Sequence, residues 1–148
     1  MPKGTFILTT EANRAVARRY FDEFLHQGKG VGGAELFAPT YRSHFPGSPE
    51  PLDKQERDHL TMRLFSAFPD GRFTVEDTIA EGDQVVSRYT FRGTHQGPFR
   101  GIAPTGRPVV FTGNEIHRIV DGRIVEQWSE FDSSGVARQL GSAERTPA

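Results

Sequence analysis

The ionisable side chains whose spacing is easiest to interpret lie between positions 109 and 132. Asp121–Gly122 separates two apolar-patterned runs, which is the strongest short-range signal for a two-residue hairpin turn. If Val120 pairs with Arg123 across that turn, alternation along both strands puts one set of residues on a common face. The set consists of Glu115, His117, Ile119, Ile124, Glu126, Trp128, Glu130 and Asp132.

This predicted face mixes aliphatic, aromatic, imidazole and carboxylate groups, which suits a binding cavity better than a plain core or a solvated surface. Glu115 is expected opposite Trp128. His117 is expected opposite Glu126, which would set its tautomer and hold it as a donor or proton shuttle. A structural histidine–glutamate pair at a solvated sheet edge is the alternative. A one-residue slip at the turn, or a bulge at Gly113, would move the whole set to the other face.

Asp132 is the candidate for acid–base chemistry. A carboxyl group kept dry beside Trp128 would have its pKa raised toward the working pH. It could then remove a proton next to a carbonyl and return one to an oxygen, as ring closure by an aldol reaction requires. The alternative is that Asp132 caps a short helix beginning near Ser133, since aspartate is a good N-cap.

Two stretches before residue 70 show helical spacing of apolar residues. The first, capped by Thr9 or Thr10 and ended at 27–30, has an apolar side made of Val16, Ala17, Tyr20, Phe21, Phe24 and Leu25. The second begins with a capping box of Asp53 and Glu56. Its apolar stripe consists of Leu60, Leu64, Phe65 and Phe68. Residues 34–37 read as a short helical turn that stops near Pro39.

The second half of the chain alternates between apolar and polar residues, which is typical of strands. The predicted strands are 73–79, 84–94, 108–120 and 123–131, joined as a meander with a glycine- and proline-rich connection at 93–107. Helices followed by long antiparallel strands indicate an α+β class, with the helices covering one face of a curved sheet. Residues 1–10 are expected to be an N-terminal extension, 11–141 one domain and 142–148 a frayed tail.

Composition narrows the function classes. A chain of 148 residues with a net charge of −1 is about one domain, and nothing in the balance favours nucleic acid or an anionic membrane surface. It contains no cysteine, which excludes disulfides and thiolate chemistry. No stretch approaches the roughly 20 apolar residues of a membrane span. We therefore expect a soluble, cytoplasmic protein.

Three other chemistries are poorly supported. A metal site at Glu115 and His117 would need further ligands from Glu130 or Asp132 and lacks a second histidine in register, so no metal is predicted. A Schiff-base mechanism needs a buried lysine, but the only lysines are Lys3, Lys29 and Lys54, in loops or at a helix start. No glycine-rich phosphate loop follows a strand, so no nucleotide cofactor is expected.

Several strings, in their order and spacing, resemble the SnoaL-like polyketide cyclase family. They are Phe68–Asp70, Glu81–Val86, Gly93–Gly97, Gly101–Gly106, Asp121–Trp128 with Asp132, and Gln139–Gly141. The resemblance covers the chain from about Ala12 to Gly141. It implies an NTF2-like fold, in which a strongly bent antiparallel sheet wraps round helices to form a cone with an apolar pocket. It also implies a homodimer formed through the sheet.

The resemblance further implies a mechanism. The founding cyclases close a polyketide ring by intramolecular aldol condensation, with an aspartate of the last strand as general acid and base and no cofactor. The aspartate four residues after the family tryptophan is Asp132 here, and His117 stands where a pocket histidine is found. This chain departs from the pattern in carrying Glu130 on the same nominal face, so either carboxylate is a candidate for the pocket.

The leading hypothesis is therefore a cofactor-independent enzyme acting on a small, largely apolar carbonyl compound, with Asp132 as general acid and base and His117 as its polar partner. The expected substrate-binding residues are Trp128, Tyr20, Phe24, His44, Phe68, Glu115 and Glu130. His44 is placed at the cavity mouth, with a plain surface histidine as the alternative. A non-catalytic small-molecule-binding protein of the same fold, or an isomerase or epoxide hydrolase, remains open.

Overall fold

The computed structural model describes residues 3–27, 29–30 and 32–141. Helix α1 spans Lys3–Arg19 and continues as a π-helical segment, Tyr20–Gln27. The prediction that this helix starts after a cap at Thr9 or Thr10 is wrong, because regular helix already begins at Lys3. Its end at Gln27 agrees with the sequence. The expected tail, 142–148, lies outside the described residues.

Helix α2 spans Lys54–Ala67 and begins as the sequence predicts. The Asp53 side chain accepts a hydrogen bond from the Glu56 N–H at 2.9 Å, and the Glu56 side chain accepts one from the Asp53 N–H at 3.0 Å. This reciprocal capping box satisfies two N–H groups that the first turn leaves unpaired. It sets where α2 begins, and therefore which of its residues face the sheet.

The sheet has five strands in the order β1-β5-β4-β3-β2. Four of them are the predicted meander: β2 (Arg72–Glu81), β3 (Gln84–Thr94), β4 (Pro108–Val120) and β5 (Arg123–Phe131). Asp121 and Gly122 form the turn with φ of 52° and 76°, the left-handed values that a two-residue hairpin turn requires.

A fifth strand, β1 (Phe37–His44), was not predicted. It follows a 3₁₀ turn at Ala34–Leu36 and pairs in parallel with β5, so the sheet is mixed and not purely antiparallel. Pro39 fits because β1 is an edge strand, where a missing N–H need not break a ladder bond. The fold remains α+β, with a curved sheet and the helices against one face.

The pairing of β4 with β5 differs from the predicted register. Arg118 pairs with Glu126, but the next residue of β4, Ile119, pairs with Ile124. Val125 therefore has no partner on β4 and forms a β-bulge. From that point His117 lies opposite Gln127, and Glu115 lies opposite Ser129. Gly113, where a bulge was considered, pairs regularly with its neighbours on both sides.

The bulge reverses the faces of β5 beyond Ile124, because side chains alternate along a strand. Gln127 and Ser129 are buried on the face that meets the helices, whereas Glu130 is exposed on the other face. The predicted inner face is therefore correct for β4 and wrong for most of β5. A last helix, α3 (Ser133–Gln139), follows β5 and buries Val136.

Candidate active site

A cavity of about 280 Å³ lies between the helices and the inner face of β3, β4 and β5. Its wall is mostly aromatic and aliphatic, as in small-molecule sites. The apolar and aromatic lining consists of Tyr20, Leu25, Phe45, Leu60, Leu64, Phe73, Tyr89, Pro98, Phe99, Phe111, Phe131 and Val136. The polar lining consists of Arg57, Thr61, Arg63, Ser66, Arg100, Glu115 and Ser129.

Glu115 is the carboxylate inside this cavity. It projects from β4 and is 3% exposed. One of its oxygens, Oε2, accepts hydrogen bonds from Ser129 Oγ at 2.6 Å and from Gln127 Nε2 at 2.8 Å. Burial raises the pKa of Glu115, although Arg57 and these two hydrogen bonds oppose the rise. The result is a dry carboxyl group whose proton is held more tightly than in water.

The positive charge nearest to Glu115 comes from α2. Arg57 Nη2 lies 3.6 Å from Glu115 Oε1, and only 11% of the Arg57 side chain is exposed. Arg57 Nη1 donates to Thr61 Oγ1 at 2.6 Å, and its guanidinium group lies 4.9 Å from the Phe45 ring centre. Burial alone would lower the pKa of Arg57, but Tyr20, Glu115 and the two other buried tyrosines together outweigh it, so the pKa is raised. The cavity thus holds a cation beside its carboxylate.

Gln127 connects Glu115 to two buried tyrosines. Its Nε2 donates to Tyr20 Oη at 3.0 Å as well as to Glu115, and its Oε1 accepts from Tyr41 Oη at 2.6 Å. Burial is the main cause that raises the pKa of both tyrosines, so they stay neutral. Gln127, fully buried and bonded at both ends, fixes the orientation of the Glu115 carboxyl group.

His117 is fully buried but does not line the cavity. Its ring lies against Tyr20, with centroids 4.5 Å apart, and neither ring nitrogen has a hydrogen-bond partner among the described residues. Burial, followed by the charge of Arg57, lowers the pKa of His117 to about 3. His117 is therefore a neutral imidazole beneath the cavity, and its predicted pairing with Glu126 is wrong.

Asp132 is exposed and caps α3. Its Oδ1 accepts a hydrogen bond from the Gly135 N–H at 2.9 Å, the arrangement named above as the alternative to catalysis. Asp132 does not belong to the cavity lining. The prediction that its carboxyl group points into a dry interior is wrong, because β5 ends before it and the chain turns into a helix there.

The remaining predicted site residues fall into three groups. Tyr20 lines the cavity, as expected. Phe24 and Phe68 are buried in the core but do not reach the cavity. Trp128 and His44 were predicted to contact substrate, but they lie outside the cavity on the outer face of the sheet, where their rings stack at 5.2 Å. There His44 Nε2 lies 2.6 Å from Glu126 Oε2, and the exposed Glu130 occupies the same face.

The sequence reasoning missed Arg57, Gln127 and Ser129. The sequence of β5 did contain a signal for Gln127 and Ser129. Together with Phe131 they occupy every second position of the strand, and a single bulged residue is enough to turn these positions toward the inner face. Within the described ranges, no three His, Asp or Glu side chains are grouped so as to hold a metal ion. In the same part of the chain, no helix has the length and apolar character needed to cross a bilayer.

An α+β cone whose buried carboxylate faces an apolar cavity defines a class of small-molecule-binding proteins with NTF2-like architecture. The model of the SnoaL-like polyketide cyclase family matches residues 15–140. The chain belongs to that family.

Individual relatives agree with this assignment. The chain is 43% identical to aklanonic acid methyl ester cyclase AcmA of Streptomyces galilaeus, over 86% of this chain and 89% of the relative. The solved structure of AclR from the same organism superposes with a TM-score of 0.81 at 26% identity, covering 89% of this chain and 97% of AclR. The structure of IdmH from Streptomyces antibioticus superposes with a TM-score of 0.78 at 33% identity, covering 87% of this chain and 98% of IdmH.

Proposed function

We propose that the protein is a polyketide cyclase that closes a ring by cofactor-independent intramolecular aldol condensation, with Glu115 as general acid and base. The observation that carries this proposal is a buried carboxyl group of raised pKa in an apolar cavity. A carboxyl group tuned toward neutrality can both take and return a proton. Membership of the cyclase family supports the reaction type.

The proposed reaction balances without a further reactant. Ionised Glu115 takes a proton from the carbon next to a carbonyl, and the resulting enolate carbon attacks a second carbonyl of the same molecule. One C–H bond breaks, one C–C bond forms, and the second carbonyl oxygen becomes an alkoxide. Protonated Glu115 then returns the proton to that oxygen and an O–H bond forms. No water is lost in this ring closure, so substrate and product are isomers. Ser129 and Gln127 hold the carboxyl group at a fixed angle during both transfers.

The cavity also limits the substrate class. Its largely apolar wall favours a small carbonyl compound with an extended apolar body, and its volume is near the lower end for ligand sites. AcmA is named as a cyclase of aklanonic acid methyl ester. We propose a related polyketide ester for this chain and choose aklanonic acid methyl ester as the first compound to assay.

Substitution Glu115→Gln tests the assignment. Glutamine keeps the shape and can accept from Ser129 and Gln127, but it cannot take up a proton. We expect turnover to fall by about 10²- to 10⁴-fold, the usual contribution of general acid–base catalysis. The matched control is Glu81→Gln, at an exposed glutamate that ends β2, which should keep full turnover. Full activity of Glu115→Gln would refute the role of Glu115.

The pH profile gives a second readout of the same assignment. Glu115 must be ionised to act as the base, and burial raises its pKa above the ordinary 4.5. Activity should therefore fall on the acid side at a pH above 4.5, and the fall should be absent from the residual rate of Glu115→Gln.

A further variant, Asp132→Asn, distinguishes between the two candidate carboxylates. Asparagine also caps helices well, so the fold should be kept. Loss of turnover in that variant alone would return the chemistry to Asp132.

A small-molecule-binding protein without chemistry is the second candidate. The ion pair of Arg57 with Glu115 favours it, because a carboxylate held by a cation is a weaker base. This candidate predicts that aklanonic acid methyl ester binds the wild-type protein without being converted. An isomerase would instead shift a double bond in the same assay, and product analysis by mass and NMR separates these outcomes.

We also propose that the protein forms a homodimer through the outer face of the sheet. Four apolar residues stand in register across four neighbouring strands on this face, and one of them, Ile79, is 67% exposed. The row consists of Ile79, Val86, Ile116 and Trp128. An apolar row of this extent is a common feature of protein–protein interfaces.

A further inference from the structure

Tyr89 is the tyrosine in the cavity that the mechanism above does not use. The protein has three tyrosines, and the hydroxyl groups of Tyr20 and Tyr41 are both bonded to Gln127. Tyr89 also lines the cavity and is 3% exposed, and the side-chain hydrogen bonds found among the described residues include none to its hydroxyl group. Buried tyrosine hydroxyls usually find a partner. An unpaired one beside a cavity therefore indicates a partner that arrives with the ligand.

The strand opposite Tyr89 makes room for this hydroxyl group. Tyr89 pairs with Gly113 of β4, and a Cβ atom at position 113 would lie 2.5 Å from Tyr89 Oη. Any larger residue there would push the phenol away from its present position. Glycine thus leaves room for the hydroxyl group beside β4 at position 113, two residues before Glu115 on the same strand.

The hydroxyl group is also in the correct ionisation state to donate. Burial raises the pKa of Tyr89, and Glu115 raises it further, so the phenol keeps its proton at neutral pH. Arg57, which lines the same cavity, opposes this shift. A neutral O–H donor in a dry cavity next to a cation is suited to an oxygen that gains negative charge.

We propose that Tyr89 is a further catalytic residue, whose hydroxyl group donates a hydrogen bond to the substrate oxygen that becomes negatively charged during ring closure. In the balanced reaction above, negative charge appears on the enolate oxygen and then on the alkoxide oxygen. Tyr89 stabilises that charge without giving up its proton, while Glu115 carries the proton. This assignment rests on the proposed function, but its chemistry can be tested separately.

The first experiment measures binding of an anion that imitates the charged oxygen. The probes are para-substituted phenols in their ionised form and the matching neutral anisoles, titrated by fluorescence or calorimetry. The background is Glu115→Gln, because an ionised Glu115 would repel the phenolate. Adding Tyr89→Phe should weaken phenolate binding by about 10- to 100-fold, as expected for a lost hydrogen bond to a charged acceptor. Anisole binding should change by less than about threefold, since phenylalanine keeps the shape.

The matched control is Thr90→Val, which removes a hydroxyl group from the next residue of β3. Thr90 donates to Glu76 at 2.8 Å and does not line the cavity, so phenolate binding should be unchanged. Equal phenolate affinity with and without Tyr89 would overturn the proposal. Circular dichroism spectra of all variants establish that the fold is intact.

The second experiment is kinetic, in the wild-type background. Tyr89→Phe should lower kcat by about 10²-fold with KM changed by less than about threefold, because the interaction forms only as charge develops. If the wild-type protein converts no polyketide but still selects phenolates through Tyr89, the cyclase function fails and the donor role stands. If the wild-type protein converts substrate and Tyr89→Phe does so equally well, the donor role fails and the cyclase function stands.

Discussion

The side chains that lie together in the cavity come from distant parts of the chain, and this determined which of them the sequence could reveal. Glu115 and Tyr20 were selected because strand alternation and helical spacing turn them inward. Arg57 could not be selected, since charged residues normally face solvent on a helix of this kind. Arg57 is buried because α2 packs over the cavity, and that packing exists only in the folded molecule.

His117 gives the sharpest residue-scale prediction. A histidine whose pKa is lowered from 6.5 to about 3 binds fewer protons when folded than when unfolded. Its neutral form therefore favours folding above pH 6.5, and this contribution is lost as the pH falls toward 3. Each unit of pKa shift corresponds to about 1.4 kcal/mol, so the free energy of unfolding contributed by neutral His117 should fall by about 4 kcal/mol as the pH approaches 3.

The substitutions His117→Leu and His117→Gln test this prediction by urea unfolding at several pH values. Both variants should lose stability less steeply than the wild-type protein as the pH falls, since neither side chain titrates. Leucine should also raise the free energy of unfolding at pH 7 by about 1–3 kcal/mol, because it removes two buried nitrogens without partners. Parallel pH curves for wild type and both variants would show that His117 is not the cause.

The elements were predictable to different degrees. The bounds of β3, β4 and β5 agree with the sequence because turn residues mark their ends, and the capping box marks the start of α2. Strand β1 was missed, since its partner β5 is far away in sequence and no local turn joins them. The bulge at Val125 was missed because no glycine or proline marks it, and one extra residue was enough to reverse the face of β5.

Asp132, the residue predicted to be catalytic, instead has a structural role as the N-cap of α3. Its hydrogen bond to the Gly135 N–H stabilises the start of α3. Replacement by alanine should therefore lower the free energy of unfolding by about 0.5–2 kcal/mol, whereas asparagine should leave it almost unchanged. Chemical denaturation of the two variants checks this difference. Equal stability of Asp132→Ala and the wild-type protein would argue against the cap.

For the molecule as a whole, the sheet separates two kinds of surface. Its inner face meets the helices and encloses the cavity, and its outer face carries Trp128, stacked on His44, in the apolar row described above. Trp128 was expected at the substrate because the bulge in β5 was not foreseen, and His44 was expected at the cavity mouth because strand β1 was not predicted. Their actual position supports a different role, at a contact between two copies of the chain.

The proposed homodimer predicts that one charge in the middle of that row separates the two copies. Ile116 pairs with Val86 on one side and Trp128 on the other, so Ile116→Glu would place a charge at the centre of the contact. Light scattering after gel filtration should give twice the chain mass for the wild-type protein and the mass of one chain for Ile116→Glu.

The control is Met62→Glu, which should remain dimeric. Met62 lies on α2, outside the row, and is 45% exposed. A monomeric wild-type protein, or a dimer that persists in Ile116→Glu, would show that the outer face is not the contact. The cavity is formed within one chain, so a correctly folded Ile116→Glu monomer should keep its turnover.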